Sequence, residues 1–268
     1  MIRMQNDGSL ALPATLRFER DGDIGTLILA RAHKRNAIDD ELVAAIGAFF
    51  LNPPAGVRAV VLCGAGEHFS AGLDLTDISG RDAVAGIAHS MAWHRAFEAL
   101  EFGTIPVVAA LQGAVVGGGL ELAAATHVRV ADETAFYALP EGTRGIFLGG
   151  GGSVRIPRLI GTARVTDMML TGRVYDAEAG ERIGLAQYLV PAGTARAKAT
   201  ELARSIAANA PMSNFAIMHA LPLNAEGSRA AGYFSEAVVS SVAQSAPEAK
   251  ARVAAFLDKR AAKVQAPQ

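Results

Sequence analysis

The chain has 268 residues, enough for one large domain with a substantial core. Its 25 Lys and Arg against 26 Asp and Glu leave a formal charge of −1, without the basic excess of a nucleic-acid binder. At 51% hydrophobic and 19% charged residues the composition excludes a disordered chain.

Residues 16–30, LRFERDGDIGTLILA, place two β-rich stretches around Asp21-Gly22-Asp23 and predict an N-terminal hairpin. Asp39 and Asp40 open a helix whose apolar positions, Leu42, Val43, Ile46, Phe49 and Phe50, follow helical spacing. The run Arg58–Gly64 then reads as a buried parallel strand. A glycine-studded loop (64–80), a helix over about 82–101 and a second apolar strand, Pro106–Leu111, follow. Next come a glycine cluster, a short helix near 118–125 and a strand His127–Ala131. Alternating strands and helices imply βαβ units with right-handed crossovers. Beyond about 153 the segments 163–170, 177–184, 193–209, 211–220, 228–244 and 247–263 are Ala-rich and amphipathic. The expectation is an α/β core over 1–192 and a helical C-terminal region over 193–268.

The first 22 residues lack an apolar stretch followed by a small-residue cleavage site, and Cys63 has no second cysteine to pair with. Both point to a reducing, cytoplasmic setting. The nearest approach to a membrane span, 104–126, holds Gln112, Glu121 and several glycines, so no membrane association is expected.

The glycines invite a nucleotide site, but the pattern fails. Phe69, Leu122 and Val154 stand where the closing glycine of three G-x-G-x-x-G candidates belongs, and no Gly-Lys pair exists for a phosphate loop. His68 takes the first glycine position of a nucleophile elbow at Ser70. The six histidines lack metal-ligand spacing, so no metal is expected.

Two segments carry more. Glu67–Leu75 follows one buried strand and Gly113–Leu122 follows the next. Each is a strand, a glycine turn and a helix start, a geometry that leaves backbone N–H groups unpaired at the carboxyl end of the sheet. Two such turns on adjacent strands could aim two donors at one oxygen, an oxyanion hole, although either alone reads as a tight connection. Glu121 is the only charge between Ile105 and Ala125, and Glu141 follows Leu139-Pro140 where an apolar strand runs into glycine. Buried carboxylates need a partner or a task. The alternative is structural: Glu121 caps a helix and Glu141 pairs with Arg144.

At these residues the chain resembles the crotonase (enoyl-CoA hydratase/isomerase) superfamily. The resemblance rests on Arg31–Ile38, Phe69–Asp74, Gly113–Glu121, Leu139–Glu141 with the later glycine run, and Ala255–Arg260. The run LPEGTRGIFLGGGGSVRIPRLIG is also similar to that of the methylthioacryloyl-CoA hydratases of dimethylsulfoniopropionate degradation. The resemblance implies a crotonase-like β-β-α superhelix of the ClpP/crotonase type, with C-terminal helices that join subunits into a homotrimer or a dimer of trimers. It implies an acyl-CoA substrate, with no cofactor beyond the CoA of that substrate. The N–H groups of Leu73 and Gly118 would form the oxyanion hole, and Glu121 and Glu141 would be the catalytic pair.

By the same resemblance Ala32, His33, Lys34, Arg35, Ala71, Gly72, Asp74 and Gly117 would line the CoA path. Phe256 and Lys259 would reach CoA bound largely by a neighbouring subunit. Leu73 is bulkier than the small residue common there, and Gly142–Phe147 departs from the usual aliphatic run. The implied reaction is hydration of a short 2-enoyl-CoA. Thioester hydrolysis and a catalytically inactive binding protein are the alternatives.

Overall fold

The computed structural model describes residues 12–77 and 80–258. They fall into two compact units that divide between Ile206 and Ala207.

In the first unit β1 (Leu16–Asp21) and β2 (Ile24–Leu29) form the expected hairpin, paired from Leu16↔Leu29 to Asp21↔Ile24. Gly22 turns the corner at φ +61°. Helix α1 (Asp40–Leu51) starts where Asp39 accepts the Leu42 N–H at 2.9 Å and buries Leu42, Val43, Ile46, Phe49 and Phe50, its predicted apolar face. Then come β3 (Ala59–Gly64), α2 (Ala83–Glu101), β4 (Val107–Leu111), β5 (Ala114–Val116) and α3 (Gly118–Ala124). These are followed by β6 (Val128–Asp132), β7 (Phe136–Ala138), α4 (Gly152–Ile160), α5 (Thr162–Thr171) and β8 (Val174–Asp176). The unit closes with α6 (Ala177–Ile183), β9 (Tyr188–Val190) and α7 (Ala195–Ala207).

Two sheets result. The larger has the order β1-β2-β3-β4-β6-β9 and is parallel after its first pair; the smaller has the order β5-β7-β8. Strands β2, β3 and β4 are buried at every residue, which accounts for a sequence apolar but for Thr26 and the glycines. One pattern recurs: a long strand in the large sheet, a short strand in the small layer, then a helix. It reads β4-β5-α3 and again β6-β7-α4. After β3 the short member is a single bridge, Ser70↔Val115, before α2. This is a β-β-α repeat. The stretch 104–126 is thereby divided among β4, β5 and α3, and no helix of the described residues is long and apolar enough to cross a membrane.

Several elements do not show in the sequence, the short strands β8 and β9 among them. Strand β5 lies in what reads as a glycine cluster, because its three residues carry no alternation of their own. Helix α4 is hidden by the three glycines before it, by Gly152 at its start and by Pro157 inside it. The two units divide between Ile206 and Ala207, inside the helical region expected over 193–268. Helix α7 belongs to the first unit: Ala195, Ala199 and Ala203 bury one stripe, and Arg196 and Arg204 pair with Glu19 and Asp21 of β1.

The second unit consists of α8 (Pro211–Glu226), α9 (Arg229–Ser245) and α10 (Pro247–Leu257). Its helices carry large exposed apolar side chains, among them Phe215, Leu221, Phe234 and Phe256.

Candidate active site

The segment after β3 is pinned on both sides. On one, Asn36 donates to the carbonyls of Ala65 and His68 at 2.9 and 2.7 Å, while the Ile38 N–H donates to Gly72 O and the Asp74 N–H to Ile38 O, each at 2.8 Å. On the other, the Ser70 N–H donates to Ala114 O and the Val116 N–H to Ser70 O, at 2.9 and 3.0 Å. The fully buried Ser70 hydroxyl donates to Asn36 O at 2.8 Å and accepts the Gly72 N–H at 3.1 Å. The first turn is thus stitched to β5, the strand that leads into the second.

Gly72 sits at φ +92°, and a Cβ there would lie 2.6 Å from Val116 O and 3.0 Å from Gly118 N. Reciprocally, a Cβ on Gly118 would lie 3.2 Å from Leu73 N. The Leu73 and Gly118 amides are therefore neighbours. Gly118 opens α3, where a backbone N–H has no intrahelical acceptor, and neither amide donates to another group among the described residues. Both residues line a cavity of about 240 Å³, together with Ala71, Gly72 and Gly117.

Glu121 projects from the first turn of α3 and is 4% exposed. Its Oε1 accepts the N–H groups of Gly150 and Gly152, both at 2.8 Å. The structural alternative is thus half met: Glu121 does cap a helix N-terminus, that of α4 rather than of its own helix. The cap leaves the carboxyl on the cavity wall. Burial pushes its pKa up, opposed by the glycine amides and by the Arg155 charge.

Glu141 lies on the same cavity, 6% exposed, with its Oε2 unpaired among the described residues. It forms no ion pair with Arg144, which acts only through its charge. Burial, reinforced by the negative charge of Glu121, raises Glu141 to about 7. Gly117, at φ +53°, makes room for it: a Cβ there would meet Glu141 Oε1 at 2.8 Å.

The remaining expected site residues are dispersed. Ala32–Lys34 form a 3-10 turn and Arg35 follows in the left-handed region at φ +51°. This turn does not line the cavity; it adjoins it where the Ala71 N–H donates to Arg35 O at 2.9 Å. The Asp74 carboxylate is occupied, accepting from Arg31 and Lys34 at 2.9 Å each and from Thr76, contacts that hold it well below the usual carboxylate range. Phe256 is exposed on α10 of the second unit, and Lys259 lies outside the described residues.

Helix α2 supplies a wall that the motifs do not announce. Arg81 just before it, then His89, Ser90 and Trp93, line the cavity, as do Ile146 and Phe147 from the loop after Glu141. The benzene edge of Trp93 packs against Gly118 and Gly150, where a Cβ would come within 2.9 and 2.8 Å of the ring. The His89 ring packs against that of Trp93, tilted by 52° with centroids 5.6 Å apart, and lies 2.7 Å from Asp40. The available signal was the chain's single tryptophan, one turn after a histidine, on a helix flanking both glycine turns. Among the described residues no three His, Cys, Asp or Glu side chains converge as a metal site would require.

A model of the enoyl-CoA hydratase/isomerase family matches residues 19–266. The probable enoyl-CoA hydratase echA8 of Mycobacterium tuberculosis is 32% identical over 253 residues, covering 92% of this chain and 96% of that protein. The short-chain-enoyl-CoA hydratase of Clostridium acetobutylicum is 30% identical over 197 residues, covering 72% and 76%. A crystal structure assigned to the enoyl-CoA hydratases, from Rhodopseudomonas palustris, has a TM-score of 0.89 and 53% identity and covers 92% of this chain and 95% of that one. The fold is that of the crotonases, and the chain belongs to the enoyl-CoA hydratase/isomerase family.

Proposed function

We propose that this protein adds water across the 2,3 double bond of a short 2-enoyl-CoA. The observation that carries the reading is the convergence of two buried carboxyls, Glu121 and Glu141, on one cavity with the Leu73 and Gly118 amides. In this reading the two amides hold the thioester oxygen and stabilise the enolate-like transition state, each contributing about 10²–10³ in rate. The turn 32–35, with Lys34 paired to Asp74, would guide the CoA towards Ala71.

The environments of the carboxyls divide the labour. Glu121 accepts two N–H groups at a helix N-terminus, contacts that favour the anion, and would take a proton from the water whose oxygen bonds to C3. Glu141 has an unpaired Oε2 and a pKa near neutrality, so it would carry the proton that C2 receives. Water is consumed whole: hydroxyl to C3, hydrogen to C2. The proton gained by Glu121 and the one lost by Glu141 are exchanged with solvent before the next turnover.

For the acyl group, the similarity of the 139–161 run to the methylthioacryloyl-CoA hydratases favours a small, methylthio-substituted chain. The test is mass spectrometry of products from a short enoyl-CoA panel that includes methylthioacryloyl-CoA, with a thiol dye following any hydrolysis. Glu121→Ala and Glu141→Ala are expected to lower turnover by at least about 10² each while remaining folded. Wild-type rates for either variant would end the assignment.

A further inference from the structure

Glu121 has a support that lies outside the cavity. Arg155, on α4, is not among the cavity-lining residues, and its side chain is only 10% exposed. Its Nε donates to Glu101 Oε2 at 2.5 Å, at the last residue of α2, and its Nη1 donates to Gly150 O at 3.2 Å. Gly150 is therefore gripped at both ends: its carbonyl by Arg155 and its N–H by Glu121. Gly151 has no room for a side chain, because a Cβ there would overlap the Arg155 guanidinium.

We propose that Arg155, anchored by Glu101, is a positioning residue for water addition: it clamps the Gly149–Gly152 loop so that its amides stay on Glu121, and its charge keeps that carboxyl able to accept a proton. This rests on reading Glu121 as the base. An isolated salt bridge between α2 and α4 would account for the Glu101 contact alone. It would not account for the second arm on Gly150, the residue that donates to the base. The guanidinium charge also favours the ionised form of Glu121 against its burial. The other charged or titratable groups that line the cavity with this carboxyl are Glu141 and Arg144 from the loop after β7, Arg81 and Asp82 just before α2, and His89 on it. His94 lies beside Gly151. None of them donates a hydrogen bond to Glu121.

The test is kcat and KM for crotonyl-CoA hydration against pH, in the full-length wild type and in Arg155→Gln, Arg155→Lys and Glu101→Gln. For Arg155→Gln the acidic limb is expected to move up by about one pH unit and kcat to fall about tenfold, with KM changing less than about twofold. Arg155→Lys restores the charge without the two-armed contact, so the limb returns while kcat stays low. Glu101→Gln removes an anion, so its limb moves down or stays, opposite to Arg155→Gln. A wild-type limb and kcat in Arg155→Gln would overturn the proposal, as would limbs that move up together in all three variants. Should Arg155→Gln fail to fold, Arg155→Lys with wild-type kcat overturns it and low kcat on an unmoved limb supports it. An active wild type with an inactive Glu121→Gln confines any failure to Arg155. A wild type inactive on every enoyl-CoA, or an active Glu121→Gln, would instead remove the reading of Glu121 as base.

Discussion

The N–H of Gly152 and the Oε1 of Glu121 meet at 2.8 Å, so the first turn of one helix is capped by the buried carboxyl of another. The glycine is required by space, since a Cβ on it would lie 2.5 Å from the Glu121 Cγ. Gly152→Ala is therefore expected to displace the carboxyl by a fraction of an ångström and lower kcat/KM for hydration by about 10²-fold. Circular dichroism should remain unchanged. Wild-type kinetics in this variant would show that the carboxyl position is not critical.

Ser70 joins the two glycine turns through its backbone and orients Gly72 through its hydroxyl. Ser70→Ala strands the Gly72 N–H and the Asn36 carbonyl in a buried setting, which should cost about 1–3 kcal/mol in urea unfolding. Because the Leu73 amide follows Gly72 directly, kcat should fall by about tenfold or more in the same variant. A loss of stability without a loss of kcat would separate the two effects.

Glu141 makes stability depend on pH. Its carboxyl titrates near 7 in the folded chain against 4.5 for an unperturbed side chain, so between those values the folded state holds more protons than the unfolded one. Its contribution is fully present below about pH 4.5 and is lost as pH rises through 7. Glu141→Gln, neutral throughout, should match the wild type near pH 4 and exceed it above pH 8 by on the order of 3 kcal/mol. Chemical denaturation at the two pH values decides the matter, and equal stabilities at pH 8 would refute it.

Asp74 anchors the turn proposed to guide CoA. Replacing it by Ala removes one of the two carboxylate partners of the mostly buried Arg31, leaving Asp39, and frees Lys34, whose side chain is 44% exposed. KM for an acyl-CoA should rise about five- to tenfold, roughly 1 kcal/mol, while kcat at saturation changes little. A KM equal to that of the wild type would detach this turn from substrate binding.

The readable parts of the sequence were those with local signals. The hairpin, α1 and β3–β4 announce themselves by period, caps and unbroken apolar runs. Glu121 and Glu141 stand out because a charge in an apolar stretch needs a reason. The glycine run 149–152 was legible only as something that is not a nucleotide loop, since its work is to present amides to a residue some thirty positions earlier. Strand β5 is too short to carry an alternation, yet it ties the two glycine turns together. The cavity wall on α2 follows an ordinary helical pattern, and its one local hint is the single tryptophan a turn after His89.

What the sequence alone determined was the type of the elements that carry a period or a cap, the family resemblance and the identity of two carboxyls under suspicion, because hydrophobic period and the cost of burying a charge act at the level of single segments. Tertiary structure decided which groups meet: two amides from different turns, a carboxyl and the distant loop that receives it, and a helix whose side chains close the cavity. Those meetings depend on strand pairing and helix packing between segments far apart in the chain, and only the folded backbone sets those distances.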